Sequence, residues 1–92
     1  KITAFNASSG ELLWESEAVK NRGVTGPVVG DLIVAVADFE GYVHFFRRNT
    51  GILANRLQVG RDAIRAPLVA IEDGLLVLDT SGRLTALRIG DL

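Results

Sequence analysis

Cysteine is absent from the 92 residues, which excludes a disulfide framework, a thiol nucleophile and a cysteine-ligated metal site in this stretch. The absence does not reveal the compartment. No apolar run approaches the roughly 18 to 20 residues that a bilayer-spanning helix needs. An excess of one charge is missing too: ten Lys and Arg against eleven Asp and Glu leave a formal net charge of −1. Electrostatic capture of nucleic acid or of an anionic membrane is therefore not indicated. The basic residues are mostly arginine and scattered, and their one cluster, Arg47-Arg48, falls in a turn. Helical periodicity is lacking: no window keeps i, i+3, i+4 spacing between breakers, and the ten glycines fall at or near turns. No Ser/His/Asp set, paired-carboxylate site, phosphate loop or zinc spacing appears, so no catalytic constellation is visible.

What the chain does have is a repeat. Forty-one residues separate Gly10 from Gly51, and Gly41 from Gly82. Around these glycines Ile2-Thr3-Ala4-Phe5 aligns with Val43-His44-Phe45-Phe46 and with Leu84-Thr85-Ala86-Leu87. Asp38-Phe39-Glu40-Gly41 aligns with Asp79-Thr80-Ser81-Gly82, and Pro27-Val28-Val29 with Pro67-Leu68-Val69. A period of about 40 residues built from short apolar runs and turn signals indicates a β-propeller blade.

Short strands are expected over Lys1–Phe5, Glu11–Glu15, a segment opened by Pro27, Leu32–Ala37, Tyr42–Arg47, Ile52–Gln58, Pro67–Ile71, Leu75–Asp79 and Arg83–Arg88. The continuous apolar run Leu32–Ala37 implies a strand covered on both faces. With blade strands lettered A to D from the axis outward, the order is C-D, A-B-C-D, A-B-C. The expected fold is all-β, about two blades of four-stranded antiparallel sheet. Residues 1–17 supply the outer strands of one blade, 24–58 a complete blade and 66–88 the first three strands of a closing blade. Lys1 occupies the position that follows the turn glycines Gly41 and Gly82, so a piece of a larger propeller is expected. Alone, such a piece would leave apolar faces and strand edges uncovered and would be marginally stable or self-associating.

Ala4-Phe5-Asn6-Ala7-Ser8-Ser9-Gly10-Glu11-Leu12-Leu13-Trp14 closely resembles the tryptophan-docking repeat of the quinoprotein (PQQ-type) propellers, in which a C-to-D turn precedes a large ring that packs on the adjoining blade. The second copy keeps Asn49-Thr50-Gly51 but has Asn55 in place of the tryptophan. Within that superfamily, Asp38-Phe39-Glu40-Gly41-Tyr42-Val43-His44-Phe45, Ala66-Pro67-Leu68-Val69 through Asp73-Gly74, and Ser81-Gly82-Arg83-Leu84-Thr85-Ala86-Leu87 resemble the C-terminal end of the BamB family. The resemblance implies an eight-bladed parent ring at the periplasmic face of the bacterial outer membrane. It implies a non-enzymatic scaffold without cofactor or metal, docking on the POTRA domains of BamA and meeting unfolded outer-membrane proteins. Membrane contact would come only from a lipid anchor upstream of Lys1. Two other readings stay open: a piece of a PQQ-dependent dehydrogenase, and a ligand-sensing propeller. The adjacent-cysteine disulfide that some quinone enzymes use has no counterpart in this stretch.

Several residues invite a functional reading. Trp14 is read as blade-to-blade docking and, with Gly10, Gly41, Gly51 and Gly82, as part of the structural repeat. His44, the only histidine, stands at the position of Thr3 and Thr85, and packing or a hydrogen bond is preferred to metal ligation. Asp38-x-Glu40-Gly41 and Asp79-x-Ser81-Gly82 lack the alternating ligands of a calcium loop, and side-chain capping of a turn explains both aspartates. Asn6-Ala7-Ser8 forms a glycosylation triplet, but turn chemistry already accounts for its asparagine. Arg22, Arg61, Asp62 and Arg65 lie in D-to-A connections that border the channel mouth, and they are the candidate partner-binding residues.

Overall fold

A computed structural model describes residues 1–88. Nine strands appear in chain order: β1 (Ile2–Phe5), β2 (Leu12–Ser16), β3 (Val28–Val29), β4 (Ile33–Ala37), β5 (Tyr42–Arg47), β6 (Leu53–Gln58), β7 (Val69–Ile71), β8 (Gly74–Leu78) and β9 (Leu84–Arg88). They form three antiparallel sheets, ordered β1-β2, β3-β4-β5-β6 and β7-β8-β9. Each sheet is a meander of sequence neighbours, which keeps the connections within a sheet short.

The repeat glycines sit where the backbone needs them. Gly10, Gly41, Gly51 and Gly82 all have positive φ. Gly41 is doubly constrained: its φ is +87°, and a Cβ there would run into the carbonyl of Gly60. The amide of Val59 donates to the Gly41 carbonyl at 2.9 Å, so this turn is clamped against the connection that leads to the next sheet.

Two apolar layers lie on opposite faces of the central sheet. Strand β4 is buried throughout and alternates between them with the period of 2 that a pleated strand imposes. Ile33, Ala35 and Ala37, with Val43 and Phe45 of β5, join Ile64, Leu68, Leu75 and Val77 of the third sheet and its approach. Val34 and Val36, with Phe46, join Trp14 and Val19 from the first sheet and its exit. Face-to-face stacking of twisted sheets through such layers is the packing of neighbouring propeller blades. Strand β3 is shorter than its opening proline suggested. Proline has no N–H for a ladder and is confined to strand starts and edges, and pairing begins only at Val28↔Ala35.

The outer strand pairs share one irregularity. In β1-β2, Ala4 faces Trp14 and Phe5 faces Leu12, leaving Leu13 as a bulge. In β5-β6, Phe45 faces Asn55 and Phe46 faces Leu53, leaving Ala54 as a bulge. The two bulged residues are one repeat apart, and each re-aims the residue that follows it.

Candidate functional site

The polar centre of the molecule is Asp38, which directly follows β4 and is fully buried. Its Oδ1 accepts the backbone N–H groups of Glu40 (2.9 Å) and Tyr42 (3.0 Å), which shapes the turn that Gly41 completes. Its Oδ2 accepts Nε–H of Arg22 at 2.8 Å and lies 2.6 Å from Nε2 of His44. Arg22 lies over the Tyr42 ring, 5.3 Å from its centroid, and its Nη2 reaches Glu40 at 3.7 Å. His44, also fully buried, stacks near Tyr42 with ring centroids 6.2 Å apart. From β6, Arg56 donates Nε–H to His44 Nδ1 at 2.8 Å and Nη2–H to the carbonyl of Ala18 at 3.3 Å.

The network fixes the tautomer. Arginine keeps its protons at any ordinary pH and can only donate. Nδ1 of His44 must therefore accept, and Nε2 carries the hydrogen that goes to Asp38. Among the described residues no buried side-chain nitrogen or oxygen is left without a partner, as a polar cluster in a packed interior requires.

Burial works against ionisation of Asp38. Hydrogen bonds from Arg22, His44 and the amides of Tyr42 and Glu40 outweigh it, so the carboxyl is held below its ordinary value. Burial depresses the His44 imidazole. Asp38 opposes that effect, the charges of Arg56 and Arg22 reinforce it, and the net shift is downward. Asp79, in the twin turn of the third sheet, is lowered by the Ser81 hydroxyl, with help from the amides of Arg83 and Ser81.

Both groups in the central pair titrate lower in the folded state than in the unfolded chain. Acid is then taken up on unfolding, and stability rises with pH. The His44 contribution is complete above an unfolded value of about 6.5 and drains as pH falls toward its depressed folded value. The Asp38 contribution starts to drain only below about 3.9. Urea midpoints of a full-length protein carrying this segment should therefore begin to fall below about pH 6.5, and the wild-type minus His44→Gln difference should carry that first decline. A difference that stays flat from pH 7.5 to 5, or grows with acid, contradicts the assignment.

An Asp–His pair suggests acid–base chemistry, but this one is sealed. Neither side chain is exposed, and the second imidazole nitrogen is occupied by Arg56. The arrangement ties strand ends and connections together, and no reacting group can approach it.

The sequence candidates are distributed as follows. Trp14 is buried, packs on Gly51 and donates its indole N–H to the carbonyl of Arg48 at 2.6 Å. Asn6 accepts from the amides of Ser8 and Ser9 and so caps its own turn. Arg22 is engaged by Asp38 and Glu40. Arg61, Asp62 and Arg65 are exposed, and among the described residues their side chains make no ion pair or hydrogen bond. Arg65 borders an open groove of about 380 Å³ with Gly23, Val24, Thr25, Phe39 and Ile64, so the two D-to-A connections meet on one face. Backbone bonds rivet that face: Phe39 N–H to Arg22 O, Ile64 N–H to Asp38 O, and Thr80 N–H to Ala63 O.

No known protein-family model matches the chain. Individual proteins do. Over 95% of its length the chain is 42% identical to 22% of the outer membrane protein assembly factor BamB of Bordetella pertussis. Over 96% it is 33% identical to 22% of the protein of the same name from Xanthomonas campestris. The crystal structure of BamB from Moraxella catarrhalis superimposes with a TM-score of 0.87 at 31% identity, over 98% of this chain and 27% of that one. The chain thus spans about a fifth to a quarter of the relatives it matches. By sequence and by fold, it is a β-propeller segment homologous to part of the BamB proteins.

Proposed function

We propose that this chain is part of a non-enzymatic scaffold in outer-membrane protein assembly, docking on the POTRA domains of BamA at the periplasmic face of the outer membrane. The observation that carries the reading is the match in sequence and fold to BamB over nearly the whole chain. The sealed Asp38–His44 pair supports a structural use of the residues that could otherwise do chemistry. Nine strands in 27% of the Moraxella chain scale to about eight four-stranded blades. Residues 1–17 are then the outer strands of one blade, 24–58 a whole blade and 66–88 three strands of the closing, C-terminal blade. Partner contact from this segment falls to the exposed Arg61, Asp62 and Arg65, with Arg22 holding the neighbouring connection in place. Unfolded outer-membrane proteins are further partners, and a lipid anchor upstream supplies the membrane attachment.

The test is a pull-down of the full-length protein with purified BamA periplasmic domains, followed by measurement of the affinity. Micromolar or tighter binding is expected. Charge reversal at Arg61 and Arg65 together should weaken it at least about threefold, since rim charges act mainly on association. No complex at high concentration overturns the scaffold reading, and stoichiometric quinone binding with dye reduction would replace it with an enzyme.

A further inference from the structure

Two of the four side chains gathered about Asp38, Arg22 and Arg56, come from elements that are distant in the chain, and one of them reaches beyond the cluster. Arg56 lies directly opposite His44 in the β5-β6 pairing. It belongs to the exposed outer strand, yet its guanidinium spans from the buried imidazole to the Ala18 carbonyl. Ala18 belongs to the turn Glu17–Lys20, closed by Lys20 N–H to Glu17 O at 3.0 Å, and next to it Val19 is buried in the layer shared by the first two sheets. Arg56 is thus a strap between the imidazole and the connection from β2 to β3.

We propose that His44, Asp38 and Arg56 form an acid-released clasp on this connection: protonation of His44 at Nδ1 expels the Arg56 side chain and frees Ala18 and its neighbours. The chemistry follows from the donors. Only a neutral imidazole, with its lone pair on Nδ1, can receive Arg56 Nε–H. A second proton places two N–H donors face to face, and one side chain must leave. Asp38 and His44 are held in the interior, and Asp38 accepts Nε2–H from the imidazolium as it does from the imidazole. Arg56 is long, exposed and free to turn to water, so it is the one that leaves. The other groups facing His44 keep their places: Arg22 from the connection remains on Asp38 Oδ2, and Tyr42 of β5 remains stacked on the ring.

A purely architectural need for the trio does not explain it. The third sheet builds the same turn around Asp79 with Ser81 and Arg83, and it carries Thr85 where His44 stands. The first sheet has Thr3 at that position and Glu15 one repeat before Arg56. Among the described sheets only the central one pairs histidine with arginine, and its strap reaches the face on which the connections meet. Release in acid would loosen the turn Glu17–Lys20, which Arg56 holds through the Ala18 carbonyl, while Arg22 stays tied to Asp38. The clasp is independent of which partner binds there.

Hydrogen exchange of residues 17–20 in the full-length protein, corrected for the intrinsic pH dependence of exchange, tests the proposal. Protection should drop about tenfold between pH 7.5 and a pH below the His44 titration, the worth of one charge-assisted hydrogen bond, while β4 and β5 stay protected. His44→Thr should show the same protection at both pH values, and Arg56→Leu should be loosened at both. Side-chain nitrogen NMR of the wild type gives a check that needs no variant: Nδ1 should be an unprotonated acceptor at pH 7.5, and its titration should coincide with the loosening. Unchanged protection across the range, an acid effect that survives His44→Thr, or a midpoint that does not follow the imidazole would each overturn the clasp.

Discussion

Replacing Trp14 with alanine in a full-length protein carrying this segment should lower its stability by about 3–5 kcal/mol, the range for deleting a large buried aromatic. The indole is 9% exposed and closes the apolar layer between the first two sheets with Val19, Val34, Val36 and Phe46. Its N–H finds the Arg48 carbonyl, so the polar end of the ring is satisfied as well as the apolar body. The seat is Gly51, at φ +76°, where any Cβ would collide with the ring. Gly51→Val should therefore cost a comparable amount, through backbone strain and overpacking together. Because both changes disrupt one contact, the double variant should lose clearly less than the sum. Trp14→Phe separates the terms: it keeps most of the packing and strands the Arg48 carbonyl, costing about 1–3 kcal/mol. The readout is the urea midpoint, with the slope checked for a change in unfolding behaviour. A loss below about 1 kcal/mol for the alanine variant would mean that the ring does not hold the two sheets together.

Local chemistry was readable from the sequence, and long-range pairing was not. Gly10, Gly41, Gly51 and Gly82 announced their turns because only glycine enters positive φ cheaply. The run Leu32–Ala37 announced a strand covered on both sides, and β4 is buried at each residue from Ile33 to Ala37; Leu32 falls in the preceding turn and is exposed. The sequence marks Asp38 as a turn cap, which describes its Oδ1. The role of its Oδ2 was invisible, because Arg22 and His44 reach it from separate elements. Arg22 read as a channel-mouth residue for the same reason: its tie to Asp38 is tertiary. The His44–Arg56 contact had a usable signal in the β5-β6 hairpin, but a regular ladder counted back from the turn puts His44 opposite Asn55. The bulge at Ala54 moves Arg56 into that place. A bulge is one residue of register, and register decides every cross-strand partner beyond it. The equivalent bulge at Leu13 sets Trp14 opposite Ala4, so the same hidden step governs both the docking ring and the buried network.

The second large effect should come from Asp38. Asp38→Ala is expected to destabilise the full-length protein by about 3–5 kcal/mol, the usual cost of removing one partner from a buried ion pair. The deletion leaves Arg22 Nε–H, His44 Nε2–H and two turn amides without an acceptor, and each orphaned donor retains its desolvation penalty. Asp38→Asn should rescue little despite its matching shape. Its carbonyl can serve the amides of Glu40 and Tyr42, but its NH₂ group then faces two donors where an acceptor is needed. The twin position is the internal control. Asp79 holds the same kind of turn with the Ser81 hydroxyl and the amides of Ser81 and Arg83, but among the described residues it serves no buried cation or imidazole. Asp79→Asn should therefore cost distinctly less than Asp38→Asn under identical conditions. A further variant isolates the cause: if the cost lies in stranded partners, combining Asp38→Ala with Arg22→Met and His44→Phe should recover part of the loss, since an apolar replacement of the set no longer buries unpaired charge. Chemical denaturation of the set at pH 7.5 decides the matter. Equal losses at Asp38 and Asp79, with no recovery in the triple variant, would show that Asp38 acts only as a turn cap and that the network adds nothing to the fold.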